Sequence, residues 1–431
     1  MDSVKIVRSG APYRPFPVKA MNAFGRLARK LGAKPVSLDP DRLAAEAAKK
    51  AGSGDFGGDE WREGLDRLVE SLEEEAELTL LGRLIAKGYV TGNLENRLRV
   101  IDYRKKNPRV DDEEISGPVF IVGLPRTGTT ILHALLDQDP ANRSPLFWEV
   151  QFPEPPARPE SWDDDPRIAK DQEVLESLFS LAPGFRAMHP MGATMPQECA
   201  AIFTMCFRSE QLITQFNVPS YQAWLDDADM ASTYAWHRAF LRHLQSGGVR
   251  GERWLLKSPA HITRLDALFA EYPDARIIHT HRNPIDVCAS ISSLMATLRG
   301  VSTDDIDLPY IGKQQLDWWT KVIGRSVENR KDLAGREGQI VDVVMDDLVA
   351  DPLGTVRRIY DRFGFVLRPE TEARMAAFME DNRRDKHGSH AYRLGDFGLD
   401  RERDGGRFEE YVRRFGLDAP RRPDEILFAS T

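Results

Sequence analysis

One stretch constrains this chain more than any other. Residues 118–122 (PVFIV) form a short, continuous apolar run, rich in β-branched residues. It leads straight into a glycine turn, Gly123-Leu-Pro-Arg-Thr-Gly-Thr-Thr130, and a helical pattern begins at Thr129. Three later segments repeat the unit. WLLK at 254–257 precedes a helical pattern starting near His261, ARIIHTH at 275–281 precedes one from Pro284, and QIVDVVM at 339–345 precedes one from Pro352. Strands that are apolar throughout, each followed by a turn and a helix, belong to a parallel sheet covered on both faces. The expected fold is therefore α/β, a parallel sheet flanked by helices with a P-loop-like phosphate-binding loop.

The turn itself carries chemistry. Between a strand and a helix, backbone N–H groups and the helix N-terminus face outward together and favour an anion. Gly123 and Gly128 are separated by four residues, as in a phosphate-cradling loop, but the position of the P-loop lysine is Thr129. Without that lysine, ordinary ATP or GTP hydrolysis loses its contact to the β and γ phosphates. Arg126 supplies a fixed cation instead, and a guanidinium suits a tetrahedral oxyanion. A second motif, His281-Arg-Asn-Pro-Ile-Asp-Val-Cys-Ala-Ser290, places Arg282 at a strand's C-terminal end, where open α/β sheets bind ligands. Ser290 lies eight residues on, in the helix that Pro284 starts.

Together the two motifs resemble those of the sulfotransferases that use 3′-phosphoadenosine-5′-phosphosulfate (PAPS). GLPRTGTT resembles their 5′-phosphosulfate loop, and RNPIDVCAS their 3′-phosphate motif. WLLKSPAHI and HAYRLGDFGL, at 390–399, are also similar to segments of the family, so the likeness runs over roughly residues 115–400. The eukaryotic cytosolic branch carries a lysine where this chain has Arg126, and the arginine form resembles the Golgi-type and bacterial branches. The resemblance implies that Arg126, Thr127, Gly128, Thr129 and Thr130 hold the 5′-phosphosulfate and that Arg282 and Ser290 hold the 3′-phosphate. Lys386, His387, His390 and Tyr392, in the tail, are expected to close over the donor, with Arg383 and Arg384 nearby. Lys257 is expected to stabilise the leaving phosphate, and no metal is implied. Arginine is a poor proton donor at neutral pH, so Arg126 is expected to stabilise charge and not to act as an acid. For the base, Glu149 resembles the catalytic glutamate of the tyrosylprotein branch and ranks first, ahead of His261 and Glu198.

The rest of the chain narrows the reading less. Its 431 residues carry 59 Lys and Arg against 67 Asp and Glu, a net charge of −8, and 41% are hydrophobic. These totals fit a globular protein and give no sign of nucleic-acid binding. Three scattered cysteines are too few for a disulfide framework, the N-terminus lacks the apolar core of a signal peptide, and no run of 18 apolar residues occurs. The expected location is cytoplasmic.

Residues 1–110 read as a helical N-terminal extension to a catalytic domain over 111–431, with 150–250 as a mostly helical, acceptor-binding insert. In the extension, Met21, Phe24, Ala28 and Leu31 fall at helical spacing beside Lys19, Arg26, Arg29 and Lys30. The expectation is a helix packed on the body, the alternative a peripheral membrane contact. The glutamates at 73–75 read as a solvated face. In the insert, Met188, Met191, Met195, Phe203, Met205, Phe207, Tyr221 and Trp224 read as core first; any part lining a site would suit a lipid, quinone or sterol alcohol. A homo-oligomer is compatible with the chain. The rival functional readings are a nucleotide kinase or triphosphatase with a degenerate loop, and a non-catalytic nucleotide-binding protein.

Overall fold

The computed structural model describes residues 12–333, 335–382, 391–417 and 427–428. Five parallel strands form the central sheet: β1 (Val119–Gly123), β2 (Asn142–Arg143), β3 (Arg253–Lys257), β4 (Arg276–His281) and β5 (Ile340–Val344). Their order across the sheet is β2-β3-β1-β4-β5. The strand leading into the glycine turn thus takes the middle place, and every residue of it is buried. Register aligns Ile121 with Lys257, and Gly123 with Thr280. The C-terminal ends of β1, β3 and β4 therefore open onto one edge.

Alternation along β1 divides the interior, as the two-residue period of a strand requires. Val119 and Ile121 join Leu132, Leu255, Ile278, Val343 and Ile359 on one face. Phe120 and Val122 face a larger core on the other, which includes Phe203, Tyr234 and Tyr272. That core runs on without a break into Leu65, Leu68, Leu94 and Leu98 of the N-terminal helices. Among the described residues, four α-helices precede β1, at Phe16–Lys30, Pro40–Ala51, Glu60–Glu74 and Leu80–Lys106.

Local differences from the sequence reading have simple causes. After β3 the chain makes a 3-10 turn over Pro259–Thr263 before the helix Leu265–Glu271, so the helical pattern sensed at His261 starts as a tighter turn. After β5 a short helix, Met345–Ala350, precedes the one that Pro352 starts. Within the insert, Met188, Phe203, Met205, Phe207 and Tyr221 are buried in the core, whereas Met191, Met195 and Trp224 are partly exposed. The helix Phe16–Lys30 packs on the body, but the periodic set is split, with Met21 and Ala28 half-buried. Asn22 and Gly25 are the buried residues, and Phe24 and Leu31 face outward.

Candidate active site

The glycine turn is built by three residues with positive φ. Gly123 has φ 137°, and a β-carbon there would lie 2.4 Å from the carbonyl oxygen of Thr280. Only glycine lets β1 end so close to β4. Arg126 (φ 65°) and Gly128 (φ 83°) then turn the chain into the helix Thr129–Leu136. A non-glycine residue in the left-handed region is uncommon and clusters at functional sites. The Thr127 hydroxyl donates to the carbonyl of Leu124 at 2.6 Å and lies 2.6 Å from Oγ1 of Thr280. Its side chain therefore pins the loop from within, and its backbone N–H is what remains for a ligand.

Arg126 gathers the two sequence motifs. Its Nε donates to Oγ of Ser290 at 3.2 Å and its Nη1 to the carbonyl of Met188 at 2.5 Å. Arg282 donates through Nη1 to the backbone oxygen of Arg126 at 3.0 Å. Both guanidinium side chains are largely buried, and neither forms an ion pair with a carboxylate among the described residues. Nη2 of Arg126 is buried and has no hydrogen-bond partner there. Burial, opposed by the Tyr392 side chain and reinforced by Arg282, lowers the pKa of Arg126 to about 10. Uncompensated buried charge is costly. Two buried cations beside outward-facing amides, one with an unfilled donor, fit a multiply charged phosphate-bearing ligand.

Beside them sits a second charged group. Lys257, the last residue of β3, is buried and donates to Oε1 of Glu198. Burial raises the pKa of Glu198, but Lys257 and His189 outweigh it, and the carboxyl stays below its ordinary value. His189 is shifted the other way. Burial first, then Lys257 and Arg126, lower its pKa to about 4 against the pull of Glu198. At neutral pH the site thus presents a carboxylate and a neutral imidazole, both able to accept a proton.

Arg126, His189 and Glu198 open onto a cavity of about 590 Å³. The loop residues Gly128, Thr129 and Thr130 line one part of it. The remainder is mostly apolar, with Phe147, Leu178, Phe185, Leu294 and Trp318 among its walls. Ile85, Gly88 and Tyr89 of the helix Leu80–Lys106 also line it, so the N-terminal helices contribute directly to the cavity. A mostly apolar hollow with a few convergent polar groups is the usual form of a small-molecule site.

Two sequence candidates for the base lie elsewhere. Glu149 is buried, accepts from Nη2 of Arg143 at 2.5 Å and from the backbone N–H of Leu146 at 3.0 Å, and is not among the cavity walls. Arg143 itself lies over the rings of Trp162 and Trp254. In this structure Glu149 is thereby held as an ion pair and helix cap, away from the cavity that Glu198 faces. His261 is buried against Phe120 and Phe203, with Nδ1 2.7 Å from the hydroxyl of Tyr234, and burial pushes its pKa well below the usual value. It faces the core, although its neighbours Ala260 and Ile262 line the cavity. Glu198, ranked third, is the one of the three that faces the site. His189 escaped the sequence reading altogether, because it stands outside every motif and next to Met188, which reads as core. Tyr392 is buried close enough to Arg126 to influence its charge. His390 lies outside the described residues, as do Arg383, Arg384, Lys386 and His387. Among the described residues, one group could gather metal ligands: His279, His281 and Asp342 on β4 and β5. Arg330 already donates to both oxygens of Asp342, at 3.1 and 2.9 Å, and fills that place.

Residues 118–369 match the profile of the sulfotransferase family, a span holding both motifs and more than half of the chain. The chain belongs to the sulfotransferase family. Sulfotransferase STF1 from Mycobacterium tuberculosis H37Rv is 34% identical, with a TM-score of 0.76 over 86% of this chain and 98% of that one. STF9 from Mycobacterium avium is 31% identical, with a TM-score of 0.79 over 89% of this chain and 98% of that one. A curated relative from Mycobacterium tuberculosis (strain CDC 1551 / Oshkosh), omega-hydroxy-beta-dihydromenaquinone-9 sulfotransferase Stf3, is 28% identical over 57% of this chain. That match spans 62% of the relative's own length. Coverage by the two solved sulfotransferases extends beyond the α/β core and takes in much of the helical N-terminal part.

Proposed function

We propose that this protein is a sulfotransferase that moves a sulfuryl group from PAPS to a hydroxyl of a small, lipophilic acceptor. The observation that carries the reading is the convergence of two guanidinium groups that form no ion pair among the described residues, Arg126 at the wall of an apolar cavity and Arg282 bonded to its backbone oxygen. A donor with phosphate at both the 5′ and 3′ positions matches that charge. The amides of 127–130 and Arg126 hold the 5′-phosphosulfate, and Arg282 with Ser290 holds the 3′-phosphate. Tyr392 packs beside them.

In the reaction the acceptor oxygen attacks sulfur, the bond from sulfur to the 5′-phosphate oxygen breaks, and adenosine 3′,5′-bisphosphate leaves. The acceptor proton passes to Glu198, which is ionised and faces the cavity, with the neutral His189 beside it as a second proton acceptor. Lys257 exchanges Glu198 for the leaving phosphate oxygen, and Arg126 stabilises charge on the transferring group. Positioning and fixed cations are the main demands of such a transfer, as in phosphoryl transfer. The apolar walls, and the omega-hydroxylated menaquinone named for Stf3, support a lipid, quinone or sterol alcohol as acceptor. The insert over 150–250 and the helix Leu80–Lys106 supply those walls as the acceptor-binding part of the molecule. No helix among the described residues is long and apolar enough to cross a membrane. We place the enzyme in the cytoplasm, consistent with three buried free cysteines.

Calorimetric titration tests the donor. Adenosine 3′,5′-bisphosphate binds more tightly than ATP on this reading, and a preference for ATP overturns it in favour of a kinase or triphosphatase. A panel of hydroxylated lipids and sugars with labelled donor tests the acceptor, and turnover of sugars alone ends the lipophilic assignment.

A further inference from the structure

The helix Phe16–Lys30 is amphipathic, yet it turns its apolar side away from the protein. It packs most closely through Asn22 and Gly25, with Val18, Met21 and Ala28 half-buried beside them. The backbone N–H of Leu81 donates to Oδ1 of Asn22 at 3.1 Å, and Gly25 lies so close to Leu80 that a β-carbon would come within 2.6 Å of the leucine's Cβ. The opposite face carries Phe16, Phe24, Leu27 and Leu31, exposed by 81%, 60%, 57% and 78%, with Tyr13 just before it. These five make up half of the large hydrophobic residues exposed on the described chain. Single exposed apolar residues need no explanation, but a contiguous stripe marks an interaction surface.

Charge identifies the partner. Residues 12–31 hold five basic residues and no acidic one, in a chain whose net charge is −8. Arg14 and Arg26 pair with Asp304, at 3.0 and 3.3 Å. Lys19, Arg29 and Lys30 form no ion pair among the described residues, and all three are exposed. Aromatic and leucine side chains on one face, flanked by unpaired lysine and arginine, are the composition of a helix that lies in an anionic lipid interface. Cations near such a surface are drawn to it electrostatically.

Position gives the contact a purpose. Leu80, against which Gly25 packs, begins the helix Leu80–Lys106. One turn further, Leu84 is exposed, and Ile85, Gly88 and Tyr89 line the apolar cavity. Val174, on the facing wall, is exposed at the cavity's edge. A single helix therefore joins the outward apolar stripe to the acceptor cavity.

We propose that the helix Phe16–Lys30 docks the protein on an anionic lipid bilayer, from which the acceptor passes along the helix Leu80–Lys106 into the cavity. The docking stands on the exposed stripe and its charge; the delivery of acceptor rests on the lipophilic substrate proposed above. The test is flotation of the full chain with vesicles of phosphatidylcholine containing 30% phosphatidylglycerol, against vesicles of phosphatidylcholine alone. Binding is expected to the anionic vesicles, and to fall at least tenfold in F24D/L27D and in the charge variant K19E/R29E/K30E. Circular dichroism and affinity for adenosine 3′,5′-bisphosphate report whether each variant is folded. Absence of binding to anionic vesicles, or binding equal in wild type and both folded variants, overturns docking. So does light scattering that shows a dimer which F24D/L27D abolishes, since a second copy then covers the face. Vesicle binding without sulfuryl transfer to any lipid alcohol leaves the docking in place and removes the proposed acceptor. Transfer to a detergent-dispersed lipid alcohol without vesicle binding does the reverse.

Discussion

Nε of Arg126 donates to Oγ of Ser290 across 3.2 Å, joining two motifs 164 residues apart. Arg282, from the same motif as Ser290, closes the contact from the other side through the backbone oxygen of Arg126. The proposed 5′ and 3′ phosphate groups are thus held by one bonded unit, and a change at either end should be felt at the other. Arg282→Ala removes the proposed charge-assisted bond to the donor and also a support of the loop. Such a bond contributes roughly 1.5–3 kcal/mol, so affinity for adenosine 3′,5′-bisphosphate should fall roughly 10- to 100-fold while affinity for ATP changes little. Titration of both nucleotides checks it, and unchanged discrimination refutes the 3′-phosphate role of Arg282.

Glu198 and Glu149 make a matched pair of carboxylates for locating the base. Glu198→Gln keeps the shape and removes the proton acceptor, so turnover should fall by roughly 10²- to 10⁴-fold with donor affinity retained. Glu149→Gln instead leaves the Arg143 charge buried and unpaired, a change that costs roughly 3–5 kcal/mol of stability. It should lower Tm by several degrees and leave turnover per folded molecule near wild type. Steady-state rates and thermal unfolding on both variants decide between them. Normal turnover in Glu198→Gln removes it as the base.

The pH dependence of turnover follows from the same cluster. Lys257 and His189 hold the Glu198 carboxyl below 4.5 despite burial, and His189 loses its proton at about 4. Each acceptor is active when deprotonated, so kcat/KM should stay flat from about pH 6 upward and decline only as pH falls toward these values. A limb near pH 6.5 would instead indicate an unperturbed histidine.

What the sequence revealed, and what it hid, divides along contact range. The loop was legible because strand, glycines, Arg126 and helix are contiguous, and backbone amides supply the geometry without help from distant residues. Arg282 and Ser290 were legible for the same reason, lying two turns apart on one strand–helix unit. The base was not. Glu198 keeps its charge through Lys257, 59 residues away, whereas Glu149 was claimed by Arg143 and the Leu146 amide. Neither fact leaves a mark in local spacing. The helix Phe16–Lys30 shows the same limit, since periodicity located the helix but not the face that Asn22 and Gly25 would bury. The tail prediction at His390 lies outside the described residues.

A buried carboxyl outside the reaction gives a stability test. Glu210 lines the cavity, its Oε2 has no hydrogen-bond partner among the described residues, and burial raises its pKa from 4.5 to about 7. Its own helix amide and Arg264 offset only part of that burial, and Asp226 adds to it. The folded state therefore keeps this proton to about pH 7, whereas the unfolded chain gives it up near 4.5. The contribution to stability falls as pH rises through that window and is fully lost above it. Glu210→Gln should match wild type below pH 4.5 and exceed it above pH 7 by up to about 3 kcal/mol, less whatever water at the cavity wall screens. Urea midpoints at pH 4.5 and 8 measure the difference, and a parallel offset at both would contradict the assignment.

The cavity can be narrowed without touching the chemistry. Gly88 sits within the helix Leu80–Lys106 and lines the cavity, and a β-carbon there meets nothing within 4 Å. Gly88→Ala should stabilise the helix by about 0.5–1 kcal/mol, since glycine is the poorer helix former. Gly88→Phe puts a ring into the space that the lipophilic acceptor is proposed to fill. It should raise KM for that acceptor at least tenfold while leaving donor affinity and Tm close to wild type. The N-terminal helices would then be shown to govern acceptor choice from outside the strand–loop–helix units proposed to bind the donor. An acceptor KM unchanged in a folded Gly88→Phe enzyme means that the acceptor binds elsewhere.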